Sequence, residues 1–298
     1  MKHKPVLLNE VINTLSPSKG QTFIDGTLGA GGHAKEIIRK ISPGGTFLGI
    51  DKDPDNLRET KEFLEKVSKE ENLDLNLNFK VGDYKDIKDF LNEKKLPKVD
   101  GLILDLGFSS NQLESGKGFS FQKDEPLIMR YDDNLEKVNA FFVLNNFDKG
   151  ALIRIFSDFG EEKYASKIAE EIIKTRKNKA IKTTFELSNL IKKSVPNKKS
   201  KIHPATRVFM ALRIFINDEF GSLKDLLEDL TSFMANDSKV AIISFHSLED
   251  RIVKNYFKKI VKNGKAEFIE KLIRPTEEEI SNNPRSRSAK LRSIKIKK

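Results

Sequence analysis

Asp25-Gly26-Thr27-Leu28-Gly29-Ala30-Gly31-Gly32-His33 follows the apolar run Thr22-Phe23-Ile24 and precedes a helical stripe of Ala34, Ile37, Ile38 and Ile41. A strand, a glycine turn and an amphipathic helix open a βαβ unit, and glycine lets the turn bend sharply and approach a ligand. Strand and helix alternate onward from there. Residues 46–51 read as a second strand, 54–69 as a charged helix, 78–82 as a third strand and 87–91 as a short helix. Gly101-Leu-Ile-Leu-Asp105-Leu106 is a fourth strand, apolar enough to be covered on both faces. This alternation predicts an α/β fold with a doubly wound, mostly parallel sheet and right-handed crossovers.

The rhythm then stops. Residues 113–202 carry helical patterns, such as Leu152, Ile155, Phe156 and Phe159, and no convincing strand. A long helix over 204–217 and an amphipathic one with Leu223, Leu226, Leu227, Leu230 and Phe233 on one face resume the rhythm. A fifth strand at 239–245, a helix at 248–261 and two late strands at 266–273 and 290–297 bring the sheet to seven. Residues 1–112 and 203–298 are therefore read as one Rossmann-like domain, and 113–202 as an inserted helical domain.

Composition narrows the chemistry. The 298 residues are 38% hydrophobic and 33% charged, as in a globular protein. No apolar run nears the roughly 18 residues that span a bilayer, and the start has no secretory pattern. A cytoplasmic protein without a membrane partner is expected. There is no cysteine, so disulfides, thiolate metal sites and thiol nucleophiles are absent, and no metal is expected. Methylation of a pyrimidine at carbon 5 normally needs a covalent adduct from a cysteine, whereas an exocyclic amine does not.

The formal charge of +10 points to a polyanionic partner. Its distribution says more than its sum. Residues 174–201 hold ten basic side chains against one acid, Glu186, and residues 285–298 hold seven against none. Either run is a solvated face or a set of phosphate contacts.

The stretch from Gly29 to Ala34 satisfies G-x-G-x-x-A, and Asp51 follows about 20 residues on, so the pattern is also that of a dinucleotide site. Three readings compete: a sulfonium cofactor, a nicotinamide dinucleotide, or a turn with no ligand. Asp25 closes the strand where a pyrophosphate would sit, and a carboxylate there disfavours a dianion but accepts from an ammonium. Asp51 suits ribose hydroxyls in either case. Asp105 ends the fourth strand, at the rim where such sheets bind ligands. Three acids at one rim favour a cationic ligand, and S-adenosyl-L-methionine is one.

Seven stretches in order resemble one family: HKPVLL from His3, DGTLGAGGH from Asp25, DGLILDLGFSS from Asp100, GFSF from Gly118, HPATRVFMALRIFIN from His203, ISFHSLEDRIVK from Ile243 and NPRSRSAKLR from Asn283. Over nearly its whole length the chain is similar to the RsmH (MraW) family, the 16S ribosomal RNA cytosine-N4 methyltransferases. The resemblance implies a class I methyltransferase fold that binds S-adenosyl-L-methionine through Gly31, Gly32, His33, Asp51, Tyr84, Asp105 and Gln112. It implies a substrate cytosine in the decoding region of 16S rRNA, within the small ribosomal subunit. The helical insertion then becomes a substrate-recognition domain. Asn111, Glu125, Ile128 and Met210 depart from the family pattern, mainly near that insertion.

Asp105 is the expected catalytic acceptor, lying between methyl donor and amine. His246, in Phe245-His-Ser-Leu-Glu-Asp250, is a second candidate proton acceptor, with a helix N-cap as its alternative role. His203 and Arg207 begin the returning helix, and Arg207 either contacts phosphate or pairs with an acid. A methyltransferase for another RNA, DNA or protein, or an RNA-binding assembly factor with a vestigial cofactor site, are the alternatives. The oligomeric state is open, a homodimer included.

Overall fold

The computed structural model describes residues 4–107, 113, 115–132, 137–196 and 203–297. Helix α1 (Leu8–Leu15) leads into β1 (Thr22–Asp25), α2 (Gly32–Ile41), β2 (Gly45–Asp51), α3 (Pro54–Glu70), β3 (Leu75–Val81), α4 (Ile87–Lys94) and β4 (Val99–Asp105). Helices α5 (Ala140–Asn146), α6 (Lys149–Asp158), α7 (Ala165–Arg176), α8 (Thr184–Ser194) and α9 (Thr206–Ile216) follow. The chain ends with α10 (Glu219–Phe233), β5 (Met234–Ser244), α11 (Ser247–Lys262), β6 (Ala266–Ile273), α12 (Glu277–Asn282) and β7 (Lys290–Ile296).

The chain forms two compact units, residues 1–107 with 220–298, and residues 108–219. The first is built on one seven-stranded sheet in the order β3-β2-β1-β4-β5-β7-β6. Strands β1 to β5 pair in parallel, while β7 runs antiparallel between β5 and β6. Strand order reverses between β1 and β4, so the carboxyl ends of β1, β2 and β4 meet at the switch point. Residues alternate between the two faces. Ile24, Leu102 and Leu104 pack with Leu223, Leu226 and Leu230 of α10, and Phe23 and Ile103 with Ile37, Ile38 and Ile41 of α2. Both faces are covered, which explains the unbroken apolar strands.

The helical unit has its own core. Leu152, Ile155 and Phe156 of α6 meet Ile168 and Ile172 of α7, Leu187 and Ile191 of α8, and Val208, Phe209 and Leu212 of α9. The sequence places the return to the α/β domain at residue 203, but α9 packs in this helical core and the unit runs to Glu219. The reason is composition: α9 is apolar on nearly every side, and its hydrophobicity alone does not say which core it joins. Buried Arg130 anchors the unit, clasping Asp132 through Nε and Nη2 at 2.7 and 2.6 Å and the Val138 carbonyl through Nη1 at 3.0 Å. Glu125 is structural: its carboxylate accepts the Gly118 N–H at 3.0 Å.

The two basic runs are built differently. In the C-terminal run, Arg292 and Lys290 pair with Asp250 at 2.6 and 3.4 Å, Lys295 with Asp237 at 2.6 Å and Lys297 with Glu267 at 2.5 Å. From Lys290 to Lys297 that run is thus a strand whose cations are ion-paired. On α8, by contrast, Phe185, Asn189, Lys192 and Lys193 are exposed along one stripe, opposite buried Leu187, Leu190 and Ile191. No helix among the described residues is long and apolar enough to cross a membrane.

Candidate active site

Asp25, Asp51 and Asp105 are the last residues of β1, β2 and β4, three neighbouring strands, so topology brings their carboxyl ends to one rim. The turn after β1 is threaded between them. Asp25 Oδ1 accepts from the Thr27 N–H at 3.1 Å, and Asp51 Oδ2 accepts from the Gly29 N–H at 2.8 Å. Thr27 Oγ1 in turn accepts from the Asp105 N–H at 2.6 Å. Gly31 starts α2 at φ +73°, a left-handed conformation, and a Cβ there would come 2.7 Å from Thr60 Cγ2.

Burial shapes the charge at this rim. Asp25 is pushed up to about 7, mainly by burial, with the Asp105 and Asp51 carboxylates adding to the rise against hydrogen bonds from Thr27. Burial also lifts Asp51 to about 6, against the Asp53 and Gly29 N–H groups. Positive charge at such a cluster would offset both desolvation and mutual repulsion. The observation fits a sulfonium cofactor with an ammonium group better than a pyrophosphate.

His33, on the first turn of α2, is buried, and burial lowers its pKa to about 4. Its Nε2 lies 2.9 Å from the Val6 carbonyl, and its Nδ1 4.0 Å from Asp105 Oδ2. Tyr84 follows β3 and opens a 3-10 turn that runs to Asp86. The ring is 8% exposed, and Lys52 Nζ sits 5.5 Å from its centroid. Lys52 pairs with Asp83 at 2.8 Å, and the Ser222 hydroxyl donates to the same carboxylate at 2.5 Å. Gly31 and Gly32 flank the start of α2 beside this rim. Gln112 lies outside the described residues.

His246 follows the same edge, since Ile243 of β5 pairs with Asp105. It is the N-cap of α11: Nδ1 accepts from the Glu249 N–H at 3.3 Å. Nε2 lies 2.9 Å from Glu249 Oε1. Glu249 Oε2 accepts the Phe245 N–H at 3.1 Å, one residue before the cap. Asp250 is occupied by Arg292 and Lys290. In the helical unit, Arg207 donates to the Glu161 carbonyl at 3.2 Å, and His203 stacks on Phe121 with centroids 4.4 Å apart.

Sequence reasoning missed Thr27, the Lys52–Asp83–Ser222 cluster around Tyr84, and the Val6 carbonyl. Thr27 sat in view inside the glycine turn. Ser222 lies far along the chain on α10, and nothing local marks it.

The strand order, with its reversed seventh strand, and the acid-rimmed glycine turn define a class I methyltransferase. The chain belongs to the MraW methylase family, whose model matches residues 1–297. It is 41% identical over 310 residues to the ribosomal RNA small subunit methyltransferase H of Clostridioides difficile (strain 630), covering 97% of each chain. The protein of that name from Halothermothrix orenii is 40% identical over 311 residues, covering 98% of this chain and 97% of its own. Among solved structures, a methyltransferase homolog protein from Pyrococcus horikoshii is 14% identical, with a TM-score of 0.46 over 98% of this chain and 67% of its own.

Proposed function

We propose that this protein transfers a methyl group from S-adenosyl-L-methionine to the N4 amine of one cytosine in the 16S RNA of the small ribosomal subunit. One observation carries the reading: three carboxylates, buried Asp25 and Asp51 and half-buried Asp105, surround a glycine turn at the switch point of the sheet. The ribosomal substrate is supported by the relatives' names, and a cytosolic location follows from that substrate.

S-adenosyl-L-methionine supplies an activated methyl group on a sulfonium when bound. Asp25 and the Asp105 carboxylate would accept from the ammonium of its methionine part, with Gly31 and Gly32 leaving room for close approach. Asp51 would accept from the ribose hydroxyls, and the Tyr84 ring would offer the adenine a stacking surface. His33 and Gln112 complete the set that the family resemblance assigns.

The cytosine amine is a poor nucleophile, because its lone pair is delocalised into the ring. Positive charge grows on that nitrogen as its bond to the methyl carbon forms and the carbon–sulfur bond breaks to leave a neutral thioether. The Asp105 carboxylate accepts a hydrogen bond from the amine that strengthens with that charge, and takes the proton the amine then loses. Asp105→Asn at saturating cofactor should lower turnover at least about 100-fold; wild-type turnover would remove Asp105 from the chemistry. His246 has the weaker claim as proton acceptor, because both of its nitrogens face Glu249. The target base must leave its stack to reach the rim, and the helical unit is assigned to grip the surrounding RNA. Mass spectrometry of 16S RNA from a deletion strain tests the whole reading. One cytosine should lose one methyl group, and an unchanged RNA would overturn it.

A further inference from the structure

The imidazole of His33 is held by a segment that precedes the first helix. Residues 4–7 cross the start of α2. The Pro5 ring lies so close to Gly32 that a Cβ there would stand 3.0 Å from it, and the Val6 carbonyl meets His33 Nε2 at 2.9 Å. A carbonyl oxygen only accepts, so Nε2 carries the hydrogen and Nδ1 keeps its lone pair. The segment is itself pinned from the far end of the chain. The Leu7 N–H donates to Glu279 Oε1 at 2.8 Å, and Asn283 Nδ2 donates to the Lys4 carbonyl at 3.2 Å. Leu7 is fully buried, with φ at 53°, which fixes where the strap turns into α1.

We propose that residues 4–7, buckled by Glu279 and Asn283, form a strap that holds His33 with Nδ1 as a permanent acceptor beside Asp105. The two acceptors, His33 Nδ1 and Asp105 Oδ2, stand 4.0 Å apart. One nitrogen placed between them lies at about 2.8–3.0 Å from each, the length of a good hydrogen bond. That spacing selects a group with at least two N–H bonds, and the ammonium of the methyl donor is one. Burial keeps His33 neutral, so the lone pair persists at physiological pH. Glu279 and Asn283 are positioning residues: they act on the ligand through the strap and His33.

The inference rests on the methyl-donor reading, and its test separates the two. Full-length Glu279→Ala, Glu279→Gln and Asn283→Ala proteins are compared with the wild type by 15N NMR of the His33 ring, assigned with His33→Gln. Calorimetric titration with S-adenosyl-L-methionine is run alongside. The ligand-free wild type should show the Nε2–H tautomer alone. Glu279→Ala should mix the tautomers and weaken cofactor binding about three- to tenfold, as loss of one hydrogen bond implies. Glu279→Gln, which keeps the acceptor oxygen, should restore both readouts. If Glu279→Ala does not fold, Asn283→Ala serves in its place with the same expectation. An unchanged tautomer in a folded variant overturns the strap, and so does a changed tautomer with unchanged affinity. A wild type that ignores the cofactor sinks the methyl-donor reading instead, while the ligand-free tautomer still judges the strap.

Discussion

The hydroxyl of Thr27 accepts the backbone N–H of Asp105 at 2.6 Å and so ties the turn after β1 to the last residue of β4. The same hydroxyl lies 3.5 Å from Asp25 Oδ1, to which it donates. One small side chain thereby connects two of the three acids. Thr27→Val keeps the shape and leaves the Asp105 N–H without this partner, which should cost about 1–3 kcal/mol. Urea unfolding measures it, with Thr27→Ser as the near-neutral control. A valine protein as stable as the wild type would show that the tie contributes nothing.

The raised acids set a pH dependence with a definite sign. Asp25 at about 7 and Asp51 at about 6 lie above their unfolded value of 3.8, so the folded, ligand-free protein holds protons that the unfolded chain has released. Their contribution to stability is therefore fully present at low pH. It declines as pH rises from about 4 through about 7. A bound cation favours the carboxylate forms, so cofactor affinity should climb over the upper part of that window, with proton release on binding. Titrations at about pH 5.5 and about pH 7.5 in buffers of different ionisation enthalpy read both effects. Equal affinity at the two values, with no proton released, would rule out the linkage.

Gly31→Ala combines two penalties. Its φ of +73° costs an L-residue roughly 1–2 kcal/mol, and its Cβ would press on Thr60 Cγ2. Gly20 has a similar φ of +77° with nothing within 4 Å of a Cβ, so Gly20→Ala isolates the conformational cost. Thermal melts should rank Gly31→Ala below Gly20→Ala, and only the former should lose cofactor affinity. The reverse ranking would mean that α3 yields freely at Thr60.

Arg292 and the α8 lysines should behave oppositely. The Arg292 and Asp250 side chains are each 12% exposed, and Arg292→Gln would leave a largely buried carboxylate with Lys290 alone, at 3.4 Å, at a cost of up to about 3 kcal/mol. Its effect on the salt dependence of RNA binding should be small. Replacing Lys192 and Lys193 of α8, together with exposed Lys182 just before it, with glutamine should leave stability nearly unchanged, and should reduce the slope of log affinity against log salt by about 2. Filter binding across a salt series distinguishes them. An unaltered slope for the triple variant would move the RNA contact elsewhere.

Much of the site is legible in the sequence. Asp25, Asp51 and Asp105 each end an apolar run, and a strand end is a local property of the sequence. The helical character of the insertion was equally plain, because the spacing of Leu152, Ile155 and Phe156 is local. Its far boundary was not, since α9 is apolar enough to suit either core. His246 shows the limit from another side: residue type and position allow both a base and a cap, and only the placement of Glu249 distinguishes them.

Chain order and residue chemistry alone determined that this protein has strands ending in acids around a glycine turn, and that it contains no thiol. Those are properties of neighbours along the backbone, where spacing of 2 or 3.6 residues and side-chain type are sufficient. Only the tertiary structure decided that β7 enters between β5 and β6, that most of the C-terminal charges are neutralised, and that Glu279 reaches the strap over His33. Each depends on groups distant in sequence finding one another, and that choice is made by packing and pairing across the whole fold rather than by any single stretch of it.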